Sequence, residues 1–372
     1  MRKEVEDRNE SKGESKMKTG KWIVVGVAGI VLAGTTRAGS LDPTNAPGPT
    51  MHTLEEIYQG LLTTQAQVAS NQQAVADMQA RMVAAGMQQT SGDMVLIPAG
   101  SFVMGACTNV GQESIADAVP QHTVHISPFY MEKHEVTSNL WREVYTWATN
   151  KGYAFGNVGS GRDSTHPVQT VNWHDCVAWC NARSQRDGFT PCYTNANGSY
   201  YTNSAIPLAG DCNWSANGYR LPTEAEWEKA TRGGVANRRY PWDDANTIQH
   251  ARANYYAVPA DSTYDTSPTT GYHPDTVAPN PRTLPVGSFA PNGYDICDVA
   301  GNVYEWCWDW YSSTYYTNSP PENPTGPASG ATRVLRGGSW GIQAPWSRCA
   351  SRDNDDPTSE FTGVGFRCAR GL

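Results

Sequence analysis

Cysteines, histidines and one loop of mixed polar and aromatic residues are where this chain's chemistry can lie. All nine cysteines (Cys107, Cys176, Cys180, Cys192, Cys212, Cys297, Cys307, Cys349 and Cys368) follow residue 106. None forms a Cys-x-x-Cys pair of the kind a zinc site uses; the closest two, Cys176 and Cys180, are i,i+4 on an expected helix. His122 and His125 sit at an odd offset on an expected strand and so point to opposite faces, which argues against a paired metal site. There is no Gly-x-Ser-x-Gly elbow of the kind that presents a nucleophilic serine. The segment Gly341–Thr362, with Trp340 just ahead of it, gathers Gln343, Trp346, Arg348, Ser351, Arg352, Asp353 and Asn354. Aromatic, cationic and amide groups on one loop suit recognition of a peptide or glycan, where polar groups orient a ligand over an aromatic anchor. The plainer alternative is a solvated loop.

Charge narrows the partners. The 372 residues carry 28 Lys/Arg and 36 Asp/Glu, a net of −8. Residues 1–38 hold eight Lys/Arg and five Asp/Glu, leaving 20 against 31, or −11, for the rest. An acidic body without a basic stripe argues against nucleic acid, which needs clustered cations. Thirteen Trp and 10% aromatic residues argue against disorder.

Residues 1–38 read as a charged segment followed by a signal peptide. Met17 is a second candidate start, followed by Lys18 and Lys21, the apolar run Trp22–Gly34, and small residues that place cleavage near Ala38. That run is short of the ~20 residues a spanning helix needs. The expectation is a secreted, periplasmic or cell-surface protein, in which disulfides form and the odd cysteine count leaves at least one thiol over. Residues 39–51 are a Pro-rich linker. Residues 52–90 read as a helical stalk: Leu54, Ile57, Leu61, Thr64, Val68, Asn71, Val75, Met78 and Met82 alternate in steps of three and four. This heptad seam predicts a homo-oligomeric coiled coil through residues 54–82, with an amphipathic helix docked on its own domain as the alternative.

From residue 91 to 372 the texture is short apolar runs broken by Gly, Pro, Asn and Asp. MVLIPAGSFVMG predicts two strands around Pro98-Ala-Gly100, and HTVHISPFYM one alternating strand. Helices are expected over Thr137–Asn150, capped by Thr137 or Ser138, over Val171–Arg186, and after Pro222, where Thr223 precedes an acidic first turn and Ala225, Trp227 and Ala230 form the buried side.

Eight elements in order carry a resemblance: Gly100-Ser-Phe-Val-Met-Gly105, Glu135-Val-Thr137, His166-Pro-Val, Arg220-Leu-Pro-Thr-Glu-Ala-Glu-Trp227, Tyr240-Pro-Trp242, Gly301-Asn-Val-Tyr-Glu-Trp306, Arg333-Val-Leu-Arg-Gly-Gly-Ser-Trp340 and Gly365-Phe-Arg367. Over residues 93–371 the chain resembles the formylglycine-generating enzyme (sulfatase-modifying factor) family. The resemblance implies an α+β, C-type-lectin-like fold with little regular secondary structure, usually carrying calcium. Enzymes of the family oxidise a sulfatase cysteine to formylglycine with oxygen and copper held by two cysteines. The positions equivalent to those cysteines are Ile342 and Ser347. Neither supplies the soft thiolate that Cu(I) requires, so copper is not expected and no catalytic residue is assigned. Ser339, which assists oxygen chemistry in the family, is then structural.

By the same resemblance Cys180 pairs with Cys368 in a disulfide. The family partner of Cys349 corresponds to Thr231, leaving Cys176, Cys192 and Cys307 as candidates. Calcium would be held by the side chains of Asn302 and Glu305 with backbone oxygens of Gly301 and Val303, and a second ion by Asn254, the carbonyl of Tyr255 and the 265–273 loop. Iron-dependent sulfoxide synthases of this fold need a His-bearing helical domain, and residues 39–92 hold only His52. Some proteins of the fold are diversified by retroelements over the surface that Gly341–Thr362 occupies. The expected function is a calcium-stabilised module binding an extracellular peptide or glycan on an oligomeric stalk. Its rivals are a formylglycine-generating or related oxidase using Cys349 and Cys307, and a purely structural envelope component with no pocket.

Overall fold

The computed structural model describes residues 93–107, 115–205, 208, 211–276 and 282–372. The expected signal peptide, linker and stalk lie outside the described residues. MVLI and GSFVM form strands β1 (Met94–Ile97) and β2 (Gly100–Met104) around the expected turn. HTVHISPFYM is two strands rather than one: β3 (His122–Ile126) pairs with β2, and β4 (Phe129–Glu132) pairs with β1. The chain changes sheets at Ser127-Pro128, where proline has no N–H to continue a ladder.

Helix α1 (Ser138–Thr149) is capped by Thr137, whose side chain accepts from Leu140 N. Helix α2 (Trp173–Arg186) opens with a capping box between Asn172 and Asp175. The two helices pack through stacked Trp141 and Trp179, 5.6 Å apart, with Phe366 edge-on to both. Two core indoles are tied to acceptors, Trp173 Nε1 to Cys307 O at 2.8 Å and Trp306 Nε1 to Val171 O at 3.1 Å, so their bulk fills the core without an unpaired donor at either.

After β5 (Tyr219–Arg220) comes α3 (Glu224–Thr231). All eight of its residues are buried, four of them ionic, where the sequence suggested only an apolar side. Each charge has a dedicated partner. Arg352 clasps Glu224 at 2.7 and 2.8 Å, Arg220 clasps Glu226 at 2.6 and 2.7 Å, and Glu228 takes Arg232 and Arg336. Lys229 Nζ donates to the carbonyls of Pro98 and Gly100. A buried charge network of this kind adds less stability than its contacts suggest, but it penalises every arrangement that breaks a pair.

The C-terminal half supplies β6 (Tyr304–Trp310), β7 (Arg333–Arg336), β8 (Asp353–Asp355), β9 (Val364–Gly365) and β10 (Ala369–Arg370). One sheet runs β1-β4-β10-β5, a second is the β2-β3 hairpin, and a third runs β8-β7-β6-β9 with β6 and β9 parallel. Arg333 lies between Trp173 and Trp310, its guanidinium carbon 3.7 and 3.5 Å from the two ring centres. Burial pulls its pKa down to about 9.

Candidate functional site

The positions equivalent to the copper cysteines sit in the turn after β7. Gly337 and Gly338 take left-handed φ of +93° and +73°. A Cβ on Gly338 would stand 2.7 Å from Ser347 Oγ, so only glycine admits the short 3₁₀ turn Ala344–Ser347 against this backbone. Ser347 is fully buried and its hydroxyl has no hydrogen-bond partner; Ile342 packs on the main core and its carbonyl accepts from Tyr256 N at 3.1 Å. This donor set does not fit copper. The rival pair fares no better: Cys307 and Cys349 are both fully buried, and burial, followed by Asp309 and Glu224, pushes the Cys307 thiol well up, away from thiolate.

Beside that turn the surface opens. A cavity of about 420 Å³ is lined by Asp117, Tyr311, Trp346, Arg348, Asp353 and Asn354 among others. Trp346 is 41% exposed. Tyr311 Oη donates to Asp117 Oδ2 at 2.8 Å, and burial with that carboxylate raises its pKa to about 12. Asn354 is held on β8 opposite Val334, and Arg348 Nε donates to Pro345 O at 2.6 Å.

The loop residues named from the sequence do not act as one surface. Trp346, Arg348 and Asn354 line this groove. Arg352 reaches it only with a spent guanidinium: it is 3% exposed, clasped by Glu224, and donates to the carbonyls of Asp117 and Ser312. It is a strut under the groove, correcting its expected place on an exposed loop. Trp340 is 7% exposed and packs on Tyr272 with ring centres 5.8 Å apart, while Gln343 bridges to Tyr256. Asp117 and Tyr311 were missed, since each lies far along the chain from the loop and no local spacing links them.

The residues expected to hold calcium converge on one polar node. Gly301 has φ +85°, and a Cβ there would lie 2.2 Å from Asn254 O, so this close approach requires glycine. Asn254 Nδ2 donates to Asn302 Oδ1 at 3.1 Å, which also accepts from Leu284 N at 3.0 Å. The two sites read from the sequence are therefore neighbours. Asn302 and Glu305 spend their side-chain oxygens on protein donors: Glu305 takes Arg367 Nε and Nη2 at 2.7 Å each and Trp227 Nε1 at 2.8 Å. At the second position Tyr255 O faces His250 Nε2, and Asp265 accepts from Tyr255 Oη, Ser267 N and Val258 N. Among the described residues, the buried oxygens of this node left without a donor are Glu135 Oε2, Asp298 Oδ1 and Asn254 Oδ1. Glu135 is joined to the node through Asn302 Nδ2 at 3.1 Å. Burial and then Asp298 push the Glu135 carboxyl well up; burial raises Asp298 to about 6. Among the described residues no group of three or more His, Cys, Asp or Glu side chains is arranged to hold a metal. Hard, donor-free oxygens are the ligand type calcium takes, and at this node they belong to Glu135, Asp298 and Asn254 rather than to Asn302 and Glu305.

Cys180 and Cys368 stand as buried thiols with their Sγ atoms 3.7 Å apart. Cys349 is fully buried. Its N–H donates to Arg239 O at 2.8 Å, while the thiol of Cys107 donates to the adjacent Arg238 O at 3.1 Å. Cys107 therefore shares that backbone with Cys349.

The fold and motif geometry define a sulfatase-modifying-factor-like domain, and comparison agrees. The model of the sulfatase-modifying factor enzyme 1-like domain matches residues 79–372, and the chain belongs to this family. It is 35% identical to a formylglycine-generating enzyme of Streptomyces coelicolor, over 77% of this chain and 91% of that one. It is 32% identical to the chaperone protein LppX of Paenibacillus barcinonensis, over 68% and 81%. A serine/threonine-protein kinase pkn1 of Chlamydia pneumoniae is 34% identical over 75% of this chain, but only 38% of the kinase is covered. Among solved structures, Treponema denticola variable protein 1 superposes with a TM-score of 0.56 at 30% identity, over 75% and 95% of the two chains. Relatives so differently named share the domain, so membership leaves the activity open.

Proposed function

We propose that this chain is a ligand-binding member of the family that has lost copper–thiolate chemistry and takes a peptide or a glycan in the groove rimmed by Trp346. The observation that carries this reading is the pair Ile342 and Ser347: a half-buried aliphatic side chain and a buried hydroxyl occupy the positions that the family resemblance gives to two thiolates. The groove beside them supplies what binding needs: an exposed indole, a cation at Arg348, a carboxylate at Asp353 and the amide of Asn354. Calcium would sit at the polar node, with Glu135, Asp298 and Asn254 supplying side-chain oxygens and the Gly301 and Val303 carbonyls joining them. Bound there it would cancel the charge of the two carboxylates and tie β6 to the segment before α1. We place the protein outside the cytoplasm, as a homo-oligomer through residues 54–82, so that several weak grooves act together by effective concentration.

The test has two arms. Purified protein is given Cu(I), oxygen and a cysteine-bearing sulfatase peptide; the expected outcome is no formylglycine, and its appearance overturns the proposal in favour of the oxidase that the enzyme relatives suggest. The same protein is screened on peptide and glycan arrays against Trp346→Ala. The reading expects hits weakened at least tenfold by the variant with its melting temperature unchanged, and hits indifferent to Trp346 would remove the groove from the account.

A further inference from the structure

Cys192, a candidate partner of Cys349 in the sequence, meets Cys212 in the fold. The chain between them returns on itself: Tyr193 stands antiparallel to Cys212, Asn213 N donates to Cys192 O at 2.7 Å, and Thr194 N donates to Asp211 O at 3.3 Å. Both side chains are buried, at 0% and 5% exposure, and the two thiols hydrogen-bond to each other. The Cys192 thiol also faces the carbonyl of Gly218 at 3.3 Å. The setting is asymmetric. The hydrogen bond from Cys212 draws the Cys192 pKa down against burial, burial pushes Cys212 well up, and the Arg220 guanidinium favours thiolate at both. An attacking thiolate beside a protonated partner is the arrangement that thiol–disulfide exchange uses.

We propose that Cys192 and Cys212 are a modification site, joined by a disulfide that locks the loop between them. The oxidant is the disulfide of a dithiol–disulfide oxidoreductase or of oxidised glutathione. Cys192 Sγ, as thiolate, attacks one donor sulfur; the donor S–S bond breaks, a mixed disulfide forms and one donor thiolate leaves. That thiolate takes the Cys212 proton, and Cys212 Sγ attacks Cys192 Sγ, breaking the mixed disulfide and releasing the second donor sulfur as thiolate. The Cys192 thiol proton, given up to solvent before the first attack, completes the second donor thiol. Two electrons and two protons pass from the pair to the donor.

The link has a structural consequence two residues on. Trp214 is 39% exposed, lies with the Arg220 guanidinium 5.1 Å from its ring centre, and meets Trp308 edge-on at 5.9 Å. It forms one wall of a cavity of about 410 Å³ whose other walls include Phe129, Arg220, Glu226 and Asn323. A cross-link at Cys212 restrains this wall by removing loop freedom from the unfolded and locally opened states. The inference stands apart from the Trp346 groove and from calcium; it shares with the proposed function only an oxidising location.

The full chain is equilibrated in a glutathione redox buffer, quenched in acid, alkylated under denaturing conditions and digested without reduction. The expected product is one linked peptide pair containing Cys192 and Cys212, separated by reductant, while Cys192→Ser leaves Cys212 alkylated rather than re-paired. Recovery of both cysteines alkylated, or of either linked to another cysteine, overturns the proposal. A second measurement serves if the serine variant does not fold. Cys192→Ala/Cys212→Ala is melted beside the unmodified chain with and without reductant. The proposal expects a lower melting temperature for the variant that narrows once both are reduced; an equal gap in both buffers overturns it.

Discussion

Arg367→Met is the substitution that most sharply tests how this domain is held together. Arg367 is fully buried and its guanidinium spans two elements. It meets both carboxylate oxygens of Glu305 at 2.7 Å and donates to the carbonyls of Glu132, Lys133 and Cys297 at 3.2, 3.1 and 2.9 Å. Methionine replaces most of the volume and none of the donors. Glu305, itself 1% exposed, keeps only the Trp227 N–H. Removing one partner of a buried pair costs about 3–5 kcal/mol, because the remaining charge is neither solvated nor compensated. Against a typical total of about 5–15 kcal/mol this is about a fifth or more of the stability. The assay is guanidinium unfolding at neutral pH of the single variants Arg367→Met and Glu305→Gln and of the double variant. The double variant is expected to be destabilised by at least about 2 kcal/mol less than the sum of the singles, since neutralising Glu305 removes the uncompensated charge. Two results would refute the reasoning. Additive single losses would mean that the pair is not coupled. Rescue of Arg367→Met by millimolar calcium would mean that Glu305 is a metal ligand after all.

Excess chelator should lower the melting temperature of the unmodified protein, and Asp298→Asn should raise the melting temperature of the metal-free protein while abolishing its response to calcium; a variant that still responds would place the ion elsewhere. His174, whose pKa burial and then Arg333 depress to about 4, should govern acid stability. Its unfolded form takes up a proton below about pH 6.5 while the folded form does not, so stability present above pH 6.5 falls by about 3 kcal/mol as the pH drops to about 4. His174→Phe should flatten that slope in urea titrations across the window, and an unchanged slope would count against the assignment. Leu61→Asp should dissociate a coiled-coil stalk, so an unaltered molar mass by light scattering would remove the oligomer from the proposed function.

What the sequence by itself determined is what local chemistry encodes. Thr137 and Thr223 stop the chain from extending and start helices because a hydroxyl can satisfy an orphan N–H within three residues, and both caps stand where the sequence puts them. The ordered motifs carried the family and its fold. Tertiary structure decided the pairings. Glu224 and Glu228 read as part of the acidic side of a helix until Arg352 and Arg336 arrive from 128 and 108 positions away. The same contact turned Arg352 from a ligand-facing residue into a strut. Packing likewise divided Trp340 from Trp346, brought Asp117 beside Tyr311, and set Cys192 against Cys212. Capping and strand alternation act over a few residues and are written in neighbouring letters. The compensation of a buried charge depends on which distant segment desolvates it, and only the folded chain fixes that.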